Sequence, residues 1–179
     1  TGATVSNKIY DGNDSATVTS ALLSGVVGSD RVQLVSDARF ANKNVGNSKS
    51  VTSAMRITGI DAVHYQLTQP SLSNANITAR TITISGLSVL NRNFDSSTAV
   101  TITGTPVLNG LVPGDSLTAS GYLSGTFANM GPGTNIAVTT NISLVGSDAS
   151  NYQLTQPTLA GDIPLILTNK ITLLPVTSK

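Results

Sequence analysis

Apolar and polar residues alternate along this chain with a period of two. Ala16-Thr17-Val18-Thr19, Val32-Gln33-Leu34-Val35, Ser50 to Ile57 and Arg80-Thr81-Ile82-Thr83-Ile84 place β-branched residues over strand length, with Gly, Asn, Asp and Pro between them. Successive side chains of a strand point to opposite faces, so this pattern predicts short half-buried strands and an all-β sandwich or barrel. No stretch of helical length keeps an amphipathic stripe. Predicted strands run from Val5 to Tyr10, Ala16 to Leu22, Arg31 to Val35, Ser50 to Thr58, Tyr65 to Thr68 and Ile77 to Ser85. Turns are predicted at Asp11-Gly12-Asn13-Asp14 and from Gly25 to Asp30, where Gly and Asn adopt positive φ at little cost.

The pattern is written twice. Sliding the chain on itself by 87 positions aligns Phe40 to Leu72 with Phe127 to Leu159 without a gap, and 16 of those 33 positions are identical. The longest match is Asp61 to Pro70 against Asp148 to Pro157, and the turn Gly25 to Asp30 is answered by Gly110 to Asp115. Solenoid repeats are shorter, because each is one supersecondary unit; this repeat is long enough to be a domain. The expectation is two modules, residues 1–78 and 79–179, the second with a C-terminal extension in which Ile171 to Val176 forms a further strand or begins a further segment. From Ile77 to Leu87 the sequence is strand-like and lacks the Gly/Ser character of a flexible linker, which predicts modules joined end to end. The first module has no counterpart of the strand Arg80 to Gly86 ahead of Val5, and Thr1 is not a Met, so the chain reads as a piece of a longer array or a mature product.

In immunoglobulin-type sandwiches a Tyr near the start of strand F bonds its hydroxyl back to the backbone at a corner. Asp61, Ala62, Tyr65 and Leu67 stand in that spacing, as do Asp148, Ala149, Tyr152 and Leu154. Tyr suits the role because its ring fills the rim of a core while its hydroxyl meets a polar group. Asp61, Tyr65, Asp148 and Tyr152 are therefore structural corner residues in this reading, with each Asp tying its own turn through an Asx-type bond.

Lys8-Ile9-Tyr10-Asp11-Gly12, then Gly25 and Gly28-Ser29-Asp30, Phe40-Ala41-Asn42-Lys43-Asn44-Val45-Gly46 and Gly59 to Leu67 together resemble the YDG repeat, a relative of the MBG repeats found in tandem in filamentous-haemagglutinin-like bacterial surface adhesins. The resemblance covers Val5 to about Thr168. It implies tandem immunoglobulin-like antiparallel β-sandwich modules, export, and an extracellular place on the bacterial cell surface. The second copy departs from the repeat, with Phe94-Asp95-Ser96 for Tyr-Asp-Gly and Met130-Gly131-Pro132-Gly133 for Lys-Asn-Val-Gly.

Composition narrows the chemistry. Charged residues are 11% of the chain and the net charge is +1, with the cations scattered, so no electrostatic footprint for nucleic acid or an anionic membrane is present. Apolar content of 39% is enough to build cores, which excludes a disordered reading. There is no Cys and no Glu, and His64 is the only His. Disulfides, thiolate chemistry and multi-histidine metal sites are excluded, and glycosidase and zinc-protease readings lose their usual carboxylate. His64 is expected on the solvent face of a strand. Asp11 to Ser15 resembles a calcium loop without its closing acid, Gly131-Pro132-Gly133 is a turn, and Thr-Xaa-Thr pairs such as Thr101 and Thr103 are ordinary strand residues.

The expectation is thus a non-enzymatic repeat segment, with no catalytic, cofactor or metal residues, acting as a stalk or spacer in adhesion or biofilm formation. Its partners would be neighbouring repeats, and the fragment would be monomeric, without nucleic-acid partners or membrane insertion. The alternative expectation is loop-mediated binding of a host or matrix glycan or protein, for which Tyr122 is the contact to examine because the first copy has no aromatic counterpart.

Overall fold

The architecture is that of a computed structural model in which residues 3–165 are described; the tail Ile171 to Val176 lies outside them. Among the described residues every regular element is β except two single-turn 3-10 segments, Ala62–His64 and Ala149–Asn151. The protein is all-β, built from several sheets. It forms two compact units, one gathering residues 3–83 with Leu108–Thr118 and Leu144–Thr155, the other Ile84–Val107, Ala119–Ser143 and residues 156–165. The boundary expected at 78/79 separates the two sequence copies, whereas the first compact unit also takes in two segments of the second copy.

In the first unit, Lys8–Ile9 runs parallel to Ala75–Thr78, which pairs antiparallel with Gly46–Lys49. Gln33–Val35 pairs with Arg56–Thr58, and Ala38–Phe40 with Val51–Ser53. Residues Arg80 to Thr83 run parallel to Tyr152–Thr155. Alternation decides which side chains go inward: Ala75 and Ile77 are buried while Thr78 is exposed. They join Tyr10, Phe40, Ile82, Leu117 and Tyr152 in one core. Each fully buried Ile or Phe there contributes about 1.5–3 kcal/mol relative to exposure.

The second unit contains an antiparallel set. Ala99 to Thr101 pairs with Ser124 to Thr126, Thr126 and Phe127 with Val138 and Thr139, and Gly133–Thr139 with Leu159–Ile163. Val100, Ile102, Phe127, Ile136, Val138 and Ile163 form its core, and Thr101 and Thr103 alternate outward.

Several expected elements differ. Ser50 to Thr58 is two strands, Val51–Ser53 and Arg56–Thr58, because Gln69 intervenes. Its side-chain amide receives a bond from Met55 N at 3.1 Å and donates to Met55 O at 2.6 Å, occupying both backbone groups as a neighbouring strand would. Gln156 treats Ile142 identically, at 3.1 and 2.7 Å. Ala38–Phe40 and Gly46–Lys49 form strands within a stretch whose Asp, Asn and Lys content reads as loop; tertiary pairing overrides that preference. His64 is exposed but lies in a 3-10 turn, not a strand, since its N–H bonds Asp61 O at 3.1 Å. Residues 65–68 carry no strand pairing among the described residues, although the equivalent Tyr152–Thr155 does.

Just before each 3-10 turn stands a glycine at positive φ, Gly59 at 122° and Gly146 at 138°. A Cβ on Gly59 would lie 2.0 Å from Arg31 O, and one on Gly146 2.5 Å from Ser116 O. Only a residue without a side chain lets these backbones approach. Gly59→Ala and Gly146→Ala are each expected to cost roughly 1–3 kcal/mol, read as a lower midpoint in urea unfolding, while Gly114→Ala, which meets nothing within 4 Å, costs less.

Candidate functional site

A polar cluster inside the first unit is built around Asp115, whose side chain is only 3% exposed. Tyr10 and Tyr152 both donate their hydroxyls to its Oδ2, each at 2.7 Å. Lys43 Nζ lies 3.0 Å from its Oδ1 and 3.7 Å from Oδ1 of Asp148. The two tyrosine rings meet edge to face, with centroids 5.5 Å apart and planes at 75°. Lys43 Nζ sits 5.8 Å from the Tyr10 ring centroid, on a face that attracts cations. Tyr10 and Lys43 belong to the first sequence copy, and Asp115, Asp148 and Tyr152 to the second. A cluster of strong polar bonds therefore joins the two copies.

Local sequence positions each group. Tyr10 ends its strand by donating N–H to Thr78 O at 2.9 Å, which fixes the ring inward, and Gly12 follows at φ 83° where a Cβ would strike Val112 Cγ1 at 2.7 Å. Lys43 rides on the loop after Phe40, tightened by Asn44 N bonding Asn42 Oδ1 at 3.1 Å. Asn151, 2% exposed, accepts from Val45 N at 2.9 Å, so the same loop is held at a second point.

The corner residues act as anchors between distant segments. Tyr152 accepts a bond from Val112 N at 2.9 Å while donating to Asp115, and Asp148 Oδ2 accepts from Ser116 N at 2.9 Å. In the first copy Tyr65 accepts from Val27 N at 3.0 Å and donates to Asp30 Oδ2 at 2.6 Å, and Asp61 Oδ2 accepts from Arg31 N at 2.8 Å. The expected Asx bond of each Asp to its own turn is thus corrected: neither caps its 3-10 turn, and each reaches a loop about thirty residues away. The two copies reproduce this geometry bond for bond. They differ in what meets the carboxylate: Asp30 is exposed, and among the described residues no Tyr or Lys of the other copy bonds it.

The loop Asp11 to Ser15 wraps an internal cation. Lys8 Nζ lies 2.7 Å from Asp11 Oδ1, 2.8 Å from Asn13 O, 3.0 Å from Asn13 Oδ1 and 3.1 Å from Ser15 O. Arg92 takes the equivalent place beside Asp95, Asn93 O and Ser97 O in the second copy. Tyr122 is half-buried in the turn between Thr118–Ser120 and Ser124–Phe127 and belongs to the second compact unit, whereas the Asp115 cluster belongs to the first. Among the described residues no three His, Cys, Asp or Glu side chains gather as metal ligands, and no helix is long and apolar enough to cross a membrane.

Burial by itself raises the Asp115 carboxyl pKa, but bonds from Tyr10, Tyr152 and Lys43 outweigh it and hold the group below its ordinary value. Burial, then the Asp115 bond, pushes Tyr152 up to about 12, and the same two causes raise Tyr10. The Asp115 bond, followed by the Tyr10 hydroxyl, raises Lys43. All four groups thus keep the charge states that bind them together.

Sequence reasoning singled out Tyr152 and Asp148 but missed Tyr10, Lys43 and Asp115 as their partners. The signal was present in the differences between the copies: Tyr10 becomes Phe94, Lys43 becomes Met130 and His64 becomes Asn151, and three of these, Tyr10, Lys43 and Asn151, lie at the junction.

Compared with known proteins, the chain matches a family model described as the YDG domain twice, over residues 1–72 and 78–159. No curated protein and no solved structure matches it.

Asp115→Ala would leave the tyrosine hydroxyls and the Lys43 ammonium without their shared acceptor. It is expected to cost about 3–5 kcal/mol in equilibrium unfolding, whereas Asp30→Ala, at the exposed equivalent, costs a small fraction of that. Because the Asp115 pKa is depressed, its contribution is present above the ordinary carboxyl value of ~4 and is lost as pH falls below it. Because Tyr152 is raised, its contribution is complete below ~10 and disappears as pH rises through about 12. Stability plotted against pH should show a plateau bounded by these two losses, and absorbance titration of tyrosinate in Tyr152→Phe should lack the last-ionising group.

Proposed function

Because the chain belongs to the YDG domain family, we propose that it is a non-enzymatic spacer segment of a secreted bacterial surface adhesin, in which tandem immunoglobulin-like modules carry load along the chain. The observation that carries this reading is the buried Asp115 cluster, which ties Tyr10 and Lys43 of one sequence copy to Asp115, Asp148 and Tyr152 of the next. A flexible string of modules needs no such bond. Charge-assisted bonds to a shielded carboxylate resist separation better than the same bonds in water. The strand Arg80–Val89 supports the same reading, since it continues from Ala75–Thr78 with one residue between them.

The neutral Thr, Ser and Asn surface suits a spacer that presents something else. A binding role at Tyr122 has less support, because that ring is half-buried and no cluster of exposed aromatics surrounds it in sequence.

Two measurements test the proposal. Antibody raised against this chain should label intact cells that make it, and labelling only after lysis would sink the surface assignment. Pulled from its ends, the wild-type chain should resist the first unfolding event at higher force than Asp115→Ala; equal forces would remove the load-bearing role.

A further inference from the structure

Lys8 has more oxygen around it than an ion pair needs. Its side chain is 17% exposed, and its Nζ stands 2.7 Å from Asp11 Oδ1, 2.8 Å from Asn13 O, 3.0 Å from Asn13 Oδ1 and 3.1 Å from Ser15 O. The Phe40 ring, with its centroid 5.7 Å away, closes another side. An ammonium has three protons to donate, so four oxygens at these distances surround it much as ligands surround a metal ion. Their spacing, at Asp11, Asn13 and Ser15, is that of the first half of a calcium loop. The distances are not, because calcium sits roughly 2.3–2.6 Å from its oxygens. Longer contacts and a single carboxylate suit a monovalent cation. The second copy builds the same arrangement around a different cation. Arg92, also 17% exposed, lies 5.5 Å from the Phe127 centroid and donates to Asp95, Asn93 O and Ser97 O. Asn13 N bonds Asp11 Oδ1 at 3.1 Å, and Ser97 N bonds Asp95 Oδ1 at 2.9 Å. Lysine and arginine share a positive charge and N–H donors but differ in shape, so what the two copies have in common is a cation at this point.

We propose that the loop Asp11 to Ser15 is a binding site for a monovalent cation of ammonium or potassium size, and that Lys8 is its tethered occupant. Because the ligand is part of the chain, the site is filled at any ionic composition, whereas a free ion would occupy it only in proportion to its concentration. Burial by itself raises the Asp11 carboxyl pKa, but bonds from Lys8 and Asn13 N–H outweigh it and hold the group below its ordinary value, so the site keeps its one negative ligand. Tyr10 lies between Lys8 and Asp11 in sequence. The filled site therefore holds the turn beside the tyrosine that bonds Asp115, without help from dissolved metal ions.

The test uses the full chain, with urea unfolding followed in defined salts. In tetramethylammonium chloride, whose cation is too large for the loop and has no N–H group, Lys8→Ala should unfold at lower urea than the wild type. Propylammonium chloride at the same ionic strength, and at about ten times its dissociation constant, should raise the folding equilibrium constant of Lys8→Ala roughly tenfold. Potassium chloride should raise it by a smaller factor, since the bare ion lacks the apolar stem. The double variant Lys8→Ala/Asp11→Ala should respond to neither salt, and the wild type to none of the three. Equal behaviour of Lys8→Ala in all three salts, or failure to fold in any of them, would overturn the cation site, and rescue by calcium chloride alone would overturn the monovalent assignment. A second comparison needs no added ligand. Lys8→Arg should stay close to the wild type, while Lys8→Met, similar in length but uncharged, should lose about tenfold or more in the folding equilibrium constant. Equal stability of the Arg and Met variants would overturn the role of the charge.

Discussion

A carboxylate removed from water governs this molecule. Placing Asp115 at 3% exposure carries a desolvation cost that only good partners offset, and the chain supplies two phenolic hydroxyls and one ammonium. Those donors come from segments more than seventy residues apart in sequence as well as from the neighbouring Tyr152. Satisfying one acid therefore fixes the register of the Tyr10 strand end, the Lys43 loop and the Val112 to Asp115 turn together. The core around it, with Phe40, Ile77 and Ile82, supplies the dry surroundings that strengthen each bond.

The same corner occurs twice with opposite outcomes. In both copies a tyrosine accepts a backbone N–H and donates to an Asp, and a second Asp secures the next residue's N–H. In one case the corner is a buried meeting point of two copies, and in the other it is exposed beside a cavity. Identical local sequence thus stands in two different surroundings. This also explains why the copies diverge at Tyr10/Phe94 and Lys43/Met130 while the string Tyr-Gln-Leu-Thr-Gln-Pro stays unchanged. Within the string, Gln69 and Gln156 make contacts internal to a copy, with Met55 and Ile142, whereas the divergent Tyr10 and Lys43 meet a carboxylate of the other copy.

The Tyr-Asp-Gly turn gains a physical meaning here. Tyr10 bonds the neighbouring copy's carboxylate, Asp11 ties its turn through Asn13 N at 3.1 Å and neutralises Lys8, and Gly12 passes close to Val112. Its three residues are a docking element whose parts are a donor, a turn lock and a point of close approach.

The duplication, the all-β character and the turns were legible in the sequence, because each depends on residues near one another in the chain: alternation at Val100 and Ile102, glycine where φ is positive, and a string repeated at 87-residue spacing. Membership of the YDG family was legible for the same reason. What Asp61 and Asp148 bond, which strands share a sheet, and that Leu108–Thr118 and Leu144–Thr155 of the second copy join the first copy's compact unit were decided only in three dimensions. A carboxylate's partner is whichever donor the fold brings within 3 Å, and linear pattern carries no record of that meeting. The Tyr10 hydroxyl meets an acid 105 residues away, and nothing beside it in the sequence marks that partner.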